Sequence, residues 1–316
     1  MRNRVRAATG EVRDPSHRCC PGIAMNLRTA FQKALAQLTT AGVPSSGLAA
    51  ELLLMHTLER DRTYLHSHPE CELSREEERR FFSLVSERAA GTPTQYLTGH
   101  QEFWGLDLLV EPGVFIPRPE TEHVVETVLE WLASQRWKSS VAGRPLRLAD
   151  VGTGSGCLAI ALAHELPEAE IFSTDTSLQA LALARRNAER LGVARRVRFL
   201  ACNLLDGLMA SATKPLLDAV VSNPPYVGRE EAALLPREVR EHEPAQALFS
   251  GENGLELYAP LIEQAGARLR PGGLLALELG YGASEKAIAL VREGWKSLRV
   301  RPDLAGIPRV LSAERL

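Results

Sequence analysis

The chain of 316 residues exceeds a typical single hydrophobic core, so one large domain with a smaller companion is expected. Its 37 basic residues are balanced by 39 acidic ones, a net charge of -2, which leaves no global cationic excess for gripping phosphate backbones. Hydrophobic residues make up 45%, enough for a core, but no run reaches the roughly 20 apolar positions of a membrane span, so a soluble, cytoplasmic protein is expected. Five cysteines, odd in number and without a CxxC pair, argue against a disulfide framework or a zinc site and suit a reducing compartment.

Residues 1–24 carry Arg2, Arg4, Arg6, Arg13 and Arg18 without an apolar stretch, and Glu11 and Asp14 interrupt them, so neither a secretory signal nor a transit peptide fits. They read as a disordered extension, with Met25 as an alternative start. Leu27, Ala30, Phe31, Ala34, Leu35 and Leu38 then recur at helical spacing until Gly42 and Pro44. A second helix follows through "GLAAELLLMHTLE", and a third starts at Ser74, where Glu77 completes a capping box. Residues 25–94 are therefore expected as a small helical bundle. Within it, His56 and the Glu76 to Arg80 charge run read as a packed side chain and a solvated face. Residues 95–117, "QYLTGHQEFWGLDLLVEPGVFIP", alternate in polarity and carry turn signals at Gly99, Gly105 and Pro112-Gly113, which predicts a β-hairpin linker.

A helix resumes near Pro119, and from residue 146 strands and helices alternate through "LRLADVG", "CLAIALAHEL", "EIFSTD", "SLQALALARRNAERLG", "VRFLACN" and "LDAVVSN". The pattern predicts a doubly wound α/β domain over 118–316, with a mostly parallel sheet and ligands beyond the carboxyl ends of its strands. A last strand near Arg309 to Ala313 is expected to pair antiparallel with its predecessor.

"DVGTGSGCLAIAL" places Gly152, Gly154 and Gly156 between the first of these strands and a helix, with Thr153 and Ser155 between them. Glycines permit positive φ and close approach of a ligand. The next strand ends at Asp175, where a carboxylate can accept hydrogen bonds from two ribose hydroxyls, so an adenosine-containing cofactor follows. The G-x-G-x-G spacing departs from the dinucleotide fingerprint, and Asp150 before it suits a cofactor carrying an ammonium and a sulfonium. S-adenosylmethionine is therefore favoured over NAD once the next motif is added.

That motif is "VVSNPPYVG". Two prolines forbid continued strand pairing, so Asn223-Pro224-Pro225-Tyr226 must leave the sheet as a rigid turn, with Tyr226 exposed. An amide nitrogen is a poor nucleophile because its lone pair is delocalised. The Asn223 side-chain oxygen and the Pro224 carbonyl can each take one N–H and turn that lone pair toward a methyl donor sharing the pocket, while Tyr226 stacks on the planar group. The mechanism expected is alignment without acid-base chemistry.

"YLTGHQEFWGLDLLVEPGVFIPRPETEHVVE", "DVGTGSGCLAIALA", "VVSNPPYV" and "EHEPAQALFSGENGLELY" together resemble the HemK/PrmC family, glutamine methyltransferases of peptide chain release factors, over roughly residues 25–316. The resemblance implies a Rossmann-like S-adenosylmethionine-dependent methyltransferase domain and an amino-terminal bundle that helps dock the release factor. The reaction implied is methylation of the glutamine amide in its Gly-Gly-Gln loop. It further implies that Gly152 to Gly156, Asp175, Asn203 and Leu204 hold the cofactor with Asn223 beside it, and that Asn223, Pro224, Pro225 and Tyr226 hold the glutamine. "IPRPETE" is similar to the release-factor branch and makes Arg118, Glu120 and Thr121 candidates for shaping the pocket. Asn203-Leu204 departs from the acidic-aromatic pair usual in the family, and the glutamine that commonly follows "ELG" is absent from "ELGYGASE". The alternatives are a DNA or RNA exocyclic-amine methyltransferase, which needs a basic recognition surface, and a non-catalytic module retaining the pocket. No metal is implied, and a monomer is expected.

Overall fold

The computed structural model describes residues 25–134, 144–208, 217–291 and 293–316; the extension expected over 1–24 lies outside the described residues. Five helices, α1 (Leu27–Thr40), α2 (Ser46–Leu58), α3 (Arg62–Ser67), α4 (Arg75–Ala89) and α5 (Thr94–Thr98), come first. Asn26 starts α1 by accepting the Thr29 N–H at 2.9 Å, and the Ser74/Glu77 capping box starts α4. Apolar stripes then meet in one core of Leu27, Ala30, Ala34, Leu53, Leu54, Phe81 and Val85. His56 lies 3.2 Å from Arg80 on this unit, and Glu76 pairs with Arg79 at its surface.

The segment read as extended from residue 95 begins instead with a helical turn. Pro93 opens α5, Gly99 closes it in the left-handed region (φ 78°), and pairing starts only at β1 (His100–Phe103) with β2 (Leu106–Leu109). A 3-10 turn over Pro119–Thr121 then enters α6 (Glu122–Ser134). The alternation that follows is β3 (Arg147–Val151), α7 (Cys157–Glu165), β4 (Glu170–Asp175), α8 (Leu178–Arg190), β5 (Val197–Ala201) and β6 (Leu217–Ser222). Short α9 (Arg237–His242) and α10 (Ala245–Leu248) precede α11 (Tyr258–Arg268), β7 (Leu269–Glu278), α12 (Ser284–Leu290), β8 (Trp295–Pro302) and β9 (Pro308–Arg315).

Seven strands make one sheet in the order β5-β4-β3-β6-β7-β9-β8. Strands β3 to β7 are parallel, as the βα alternation requires, and β9 is the expected antiparallel last strand. It pairs with its predecessor β8 and also with β7, so it lies between them. The strands are apolar on both faces. Leu148, Ala219, Val221 and Ala276 pack under α6 and α7, while Ala149, Val220, Leu275 and Leu277 pack under α11 and α12. No helix among the described residues is long and apolar enough to cross a membrane.

Candidate active site

Because β3, β4 and β6 are parallel neighbours, their carboxyl ends deliver Gly152, Asp175 and Asn223 to the same edge of the sheet. A cavity of about 460 Å³ opens there. Gly152, Thr153, Gly154, Ser155 and Asp175 line it, and so do Asn203, Leu204, Asn223, Pro224, Pro225 and Tyr226. Gly156, Glu120 and His56 do not.

The glycine loop is held from below. Gly152 and Thr153 donate backbone N–H groups to the Thr174 carbonyl at 2.8 and 3.0 Å, and the Gly154 N–H reaches Asp175 Oδ2 at 2.9 Å. Gly152 and Gly154 adopt φ of 72° and 55°, and a Cβ on either would stand in open space. Gly156 acts differently: a Cβ there would meet Ala184 and Ile160 at 3.0 Å, so its absence lets α8 pack against the start of α7. The Thr153 hydroxyl turns inward, donating to Asp150 Oδ2 at 2.7 Å and accepting from Ser173. Asp175 is fixed at both oxygens, since Ser177 N–H reaches Oδ1 at 2.8 Å.

The diproline corner stands beside this loop. Ser222 Oγ donates to the Val151 carbonyl at 2.6 Å, tying the end of β6 to the end of β3. Asn223 Nδ2 donates to Thr121 Oγ1 at 3.1 Å, which leaves its Oδ1 as the end not engaged by Thr121. Tyr226, expected to be exposed, is half-buried. Its ring packs where Gly280 has no side chain, and a Cβ at 280 would come within 2.8 Å of the Tyr226 Cδ2. Arg118 also lines the cavity, stacks on Phe115 at 4.7 Å and pairs with Glu243.

Known proteins decide the family. Residues 29–99 match the PrmC N-terminal domain and residues 108–240 the Methyltransferase small domain. A release factor glutamine methyltransferase of Koribacter versatilis (strain Ellin345) is 44% identical over 290 residues, spanning 91% of this chain and 98% of its own. That of Moorella thermoacetica (strain ATCC 39073 / JCM 9320) is 43% identical over 294 residues, spanning 92% and 99%. The chain belongs to the release factor glutamine methyltransferase family. It is therefore a methyltransferase, and its fold is also that of the hMettl16 catalytic domain, with a TM-score of 0.51 at 16% identity over 73% of this chain and 81% of that one.

The family's cofactor is testable against the cavity wall by its chemistry. Asp150 Oδ1, Ser155 Oγ and Thr174 Oγ1 line the cavity or its floor and are buried without a protein partner among the described residues. A carboxylate and two hydroxyls left unpaired beside an open glycine cradle fit a ligand bearing a cation and hydroxyls. Burial pushes the Asp150 carboxyl up to about 7, against the pull of Thr153 and the Ala159 N–H. Burial likewise pushes Glu278 up to about 7, opposed by the neighbouring Thr121 hydroxyl, Arg309 and the Tyr226 hydroxyl. The Tyr226 hydroxyl is raised by the same burial and by Glu278, and Glu243 is raised by burial despite Arg118.

Glu243 and Glu278 were not read as site residues. Glu243 stands in "EHEPAQALF", a stretch already singled out by resemblance, and Glu278 ends the apolar run "LLALELG". A carboxylate closing an otherwise buried strand at the ligand edge is the signal that could have found it. Glu243 accepts from Arg118 and from the Ile116 N–H at 3.4 Å, and so anchors the "IPRPETE" loop to the segment before α10. Arg88 of α4 is buried and pairs with Glu238 of α9, while Val239 of the same helix lines the cavity.

Proposed function

We propose that this enzyme transfers a methyl group from S-adenosylmethionine to the side-chain amide nitrogen of the glutamine in the Gly-Gly-Gln motif of peptide chain release factors. The observation that carries the reading is the one cavity lined both by the glycine loop with Asp175 and by the Asn223-Pro224-Pro225-Tyr226 corner. Near full-length likeness to relatives bearing that name supports a protein amide over a nucleobase amine.

Gly152, Gly154, Ser155 and Asp175 would hold the cofactor, with Asp150 beneath it, and Asn203 and Leu204 would close the adenine side. When bound, S-adenosylmethionine supplies an electrophilic methyl on a sulfonium. The chain's own residues solve the other half of the problem. Amide resonance, worth a rotational barrier of about 18–20 kcal/mol, keeps the nitrogen lone pair in the carbonyl π system. Asn223 Oδ1 and the Pro224 carbonyl each accept one N–H of the substrate amide, which tilts the lone pair out of conjugation and aims it. Pro225 fixes the direction of the Pro224 carbonyl, because the residue before a proline is confined to extended backbone. Tyr226 packs along the planar amide. Near-attack alignment of this kind supplies up to about 7–11 kcal/mol of the barrier. The helical unit α1 to α5 would dock the body of the release factor.

Methyl transfer to purified release factor, traced with tritiated S-adenosylmethionine, tests the reading. Asn223→Ala should lower kcat by about 10²-fold or more while calorimetric affinity for the cofactor holds. Label in nucleic acid alone, or full activity in Asn223→Ala, overturns it.

A further inference from the structure

Helix α8 holds the linker that precedes the catalytic sheet. Gln179 Nε2 donates to the Pro112 carbonyl at 2.7 Å, Arg186 pairs with Glu111 at 2.9 Å, and Arg190 pairs with Asp107. These three side chains lie at the surface. Between them Asn187 is fully buried, on a helix whose neighbouring inward positions are Leu183, Ala184 and Ala188. Asn is a poor helix former, and an amide is costly to bury, so packing alone would favour an apolar side chain there.

The hydrogen bonds of Asn187 explain why the amide is kept. Its Oδ1 accepts the Leu109 N–H at 2.8 Å, and its Nδ2 donates to the Leu109 carbonyl at 3.0 Å and to the Ser155 carbonyl at 2.9 Å. The side chain thus stands in for a strand partner at the open edge of β2, and its second N–H reaches across to the glycine loop. Only one orientation works, because a reversed amide would set NH2 against the Leu109 N–H and an oxygen against two carbonyls. One turn earlier, Ala184 fills the space left by Gly156, so the same helix face supports the loop twice.

Ser155 is the residue this support reaches. Its hydroxyl is buried, lines the cavity and has no protein partner among the described residues. The linker on the other side of Asn187 continues into Gly113, Val114 and Phe115, which line the same cavity. We propose that Asn187 is a positioning residue of the cofactor site, an amide staple that ties the Ser155 peptide to β2 and so presents the Ser155 hydroxyl to S-adenosylmethionine. The inference rests on reading the glycine loop as the seat of that cofactor.

The test is calorimetric Kd for S-adenosylmethionine, with Tm measured alongside, on Asn187→Ala, Asn187→Asp, Ser155→Ala and Asn187→Asp/Ser155→Ala. Asn187→Asp has nearly the same shape and keeps the acceptor for Leu109, but it presents an oxygen to both carbonyls; it serves where Asn187→Ala does not fold. Either Asn187 variant should raise Kd by about tenfold. In the Ser155→Ala background the further rise on Asn187→Asp should shrink to about twofold or less, because the staple acts through Ser155. Val128→Ala, which opens the fully buried core beneath α6, is the stability control, and its Kd should stay within about twofold of wild type. Wild-type Kd in a folded Asn187 variant, rises that multiply in the double variant, or an equal rise in Val128→Ala overturns the staple alone. A wild-type protein that does not bind S-adenosylmethionine removes the cofactor reading and the staple with it.

Discussion

At the amino-terminal edge of the sheet Asp218 is fully enclosed, and every direction around its carboxylate holds a donor. Arg144 approaches through both terminal nitrogens at 2.8 Å, Arg270 Nε at 2.6 Å, and the Arg147 backbone N–H at 2.9 Å. At the carboxyl edge Asp150 and Glu278 are equally buried, yet each keeps one oxygen without a partner, and neither forms an ion pair among the described residues. The Asp218 cluster ties β3, β6 and the bulged start of β7 together, which is a structural use of buried charge. The other two carboxyls are raised by burial, which marks them as costly to keep ionised in the fold, and each leaves one oxygen without a partner. One sheet thus separates buried charge that is fully paired from buried charge that keeps an unpartnered oxygen at the edge where the cavity opens.

Breaking the clamp should give the largest effect. Asp218→Ala strands two arginines and the Arg147 N–H, and should cost on the order of 3 kcal/mol in chemical denaturation, discounted because both guanidinium groups reach solvent. The cofactor affinity of the protein that remains folded should be unchanged. A stability within error of wild type would show that the clamp is ornamental.

The opposite edge should reveal itself through pH. Asp150 and Glu278 hold protons in the folded state up to about 7, well above ordinary carboxylates, so the folded chain binds more protons than the unfolded one between about pH 4 and 7. Their contribution is present at low pH and is lost as pH rises through 7. Around Glu278 stand Arg309, Glu120, Tyr226 and Tyr258, and around Asp150 stand Thr153, Cys157 and Asp175. Asp150→Asn/Glu278→Gln should remove this slope, raising stability at pH 8 relative to wild type on the order of 1–3 kcal/mol while the two proteins converge toward about pH 4. Parallel Tm curves across that window would refute the burial argument.

The scaffold side of this contrast was far more legible in the sequence than the site side. Apolar runs from residue 146 alternate at strand and helix length, and that alone implies a parallel sheet and names its ligand edge. The glycine loop and the diproline corner announce themselves because backbone φ and a missing N–H are local properties. Helices α3 and α5 escaped notice because six and five residues are too short to display a period. The seat of β9 between β7 and β8 depends on pairing partners that no local pattern encodes. Tyr226 read as exposed because the space that buries it is the missing side chain of Gly280, 54 positions away. Glu278 looked like an ordinary strand end for the same reason: whether a carboxyl is enclosed, and by which hydroxyls, is decided by tertiary contacts.

Two glycines offer the finest cut between the edges, because each can gain one methyl group without any change of charge. At Gly273 a Cβ would meet the Arg270 carbonyl at 2.9 Å and the Asp218 carbonyl at 3.1 Å, both backbone atoms that cannot swing aside. At Gly280 it would meet the Tyr226 ring at 2.8 Å. Neither glycine has positive φ, so the cost is steric and not conformational. Gly273→Ala should lower stability by about 1–2 kcal/mol and leave kcat alone, since the clamp is displaced and the cavity is not. Gly280→Ala should cost about 1 kcal/mol or less, because the ring can yield toward the cavity, but it should lower kcat several-fold by pushing Tyr226 off the diproline corner. Urea titration and methyl-transfer assays on the two variants would separate the effects. If both variants lost stability and activity in the same proportion, the sheet would be a single mechanical body and the division between its edges would fall.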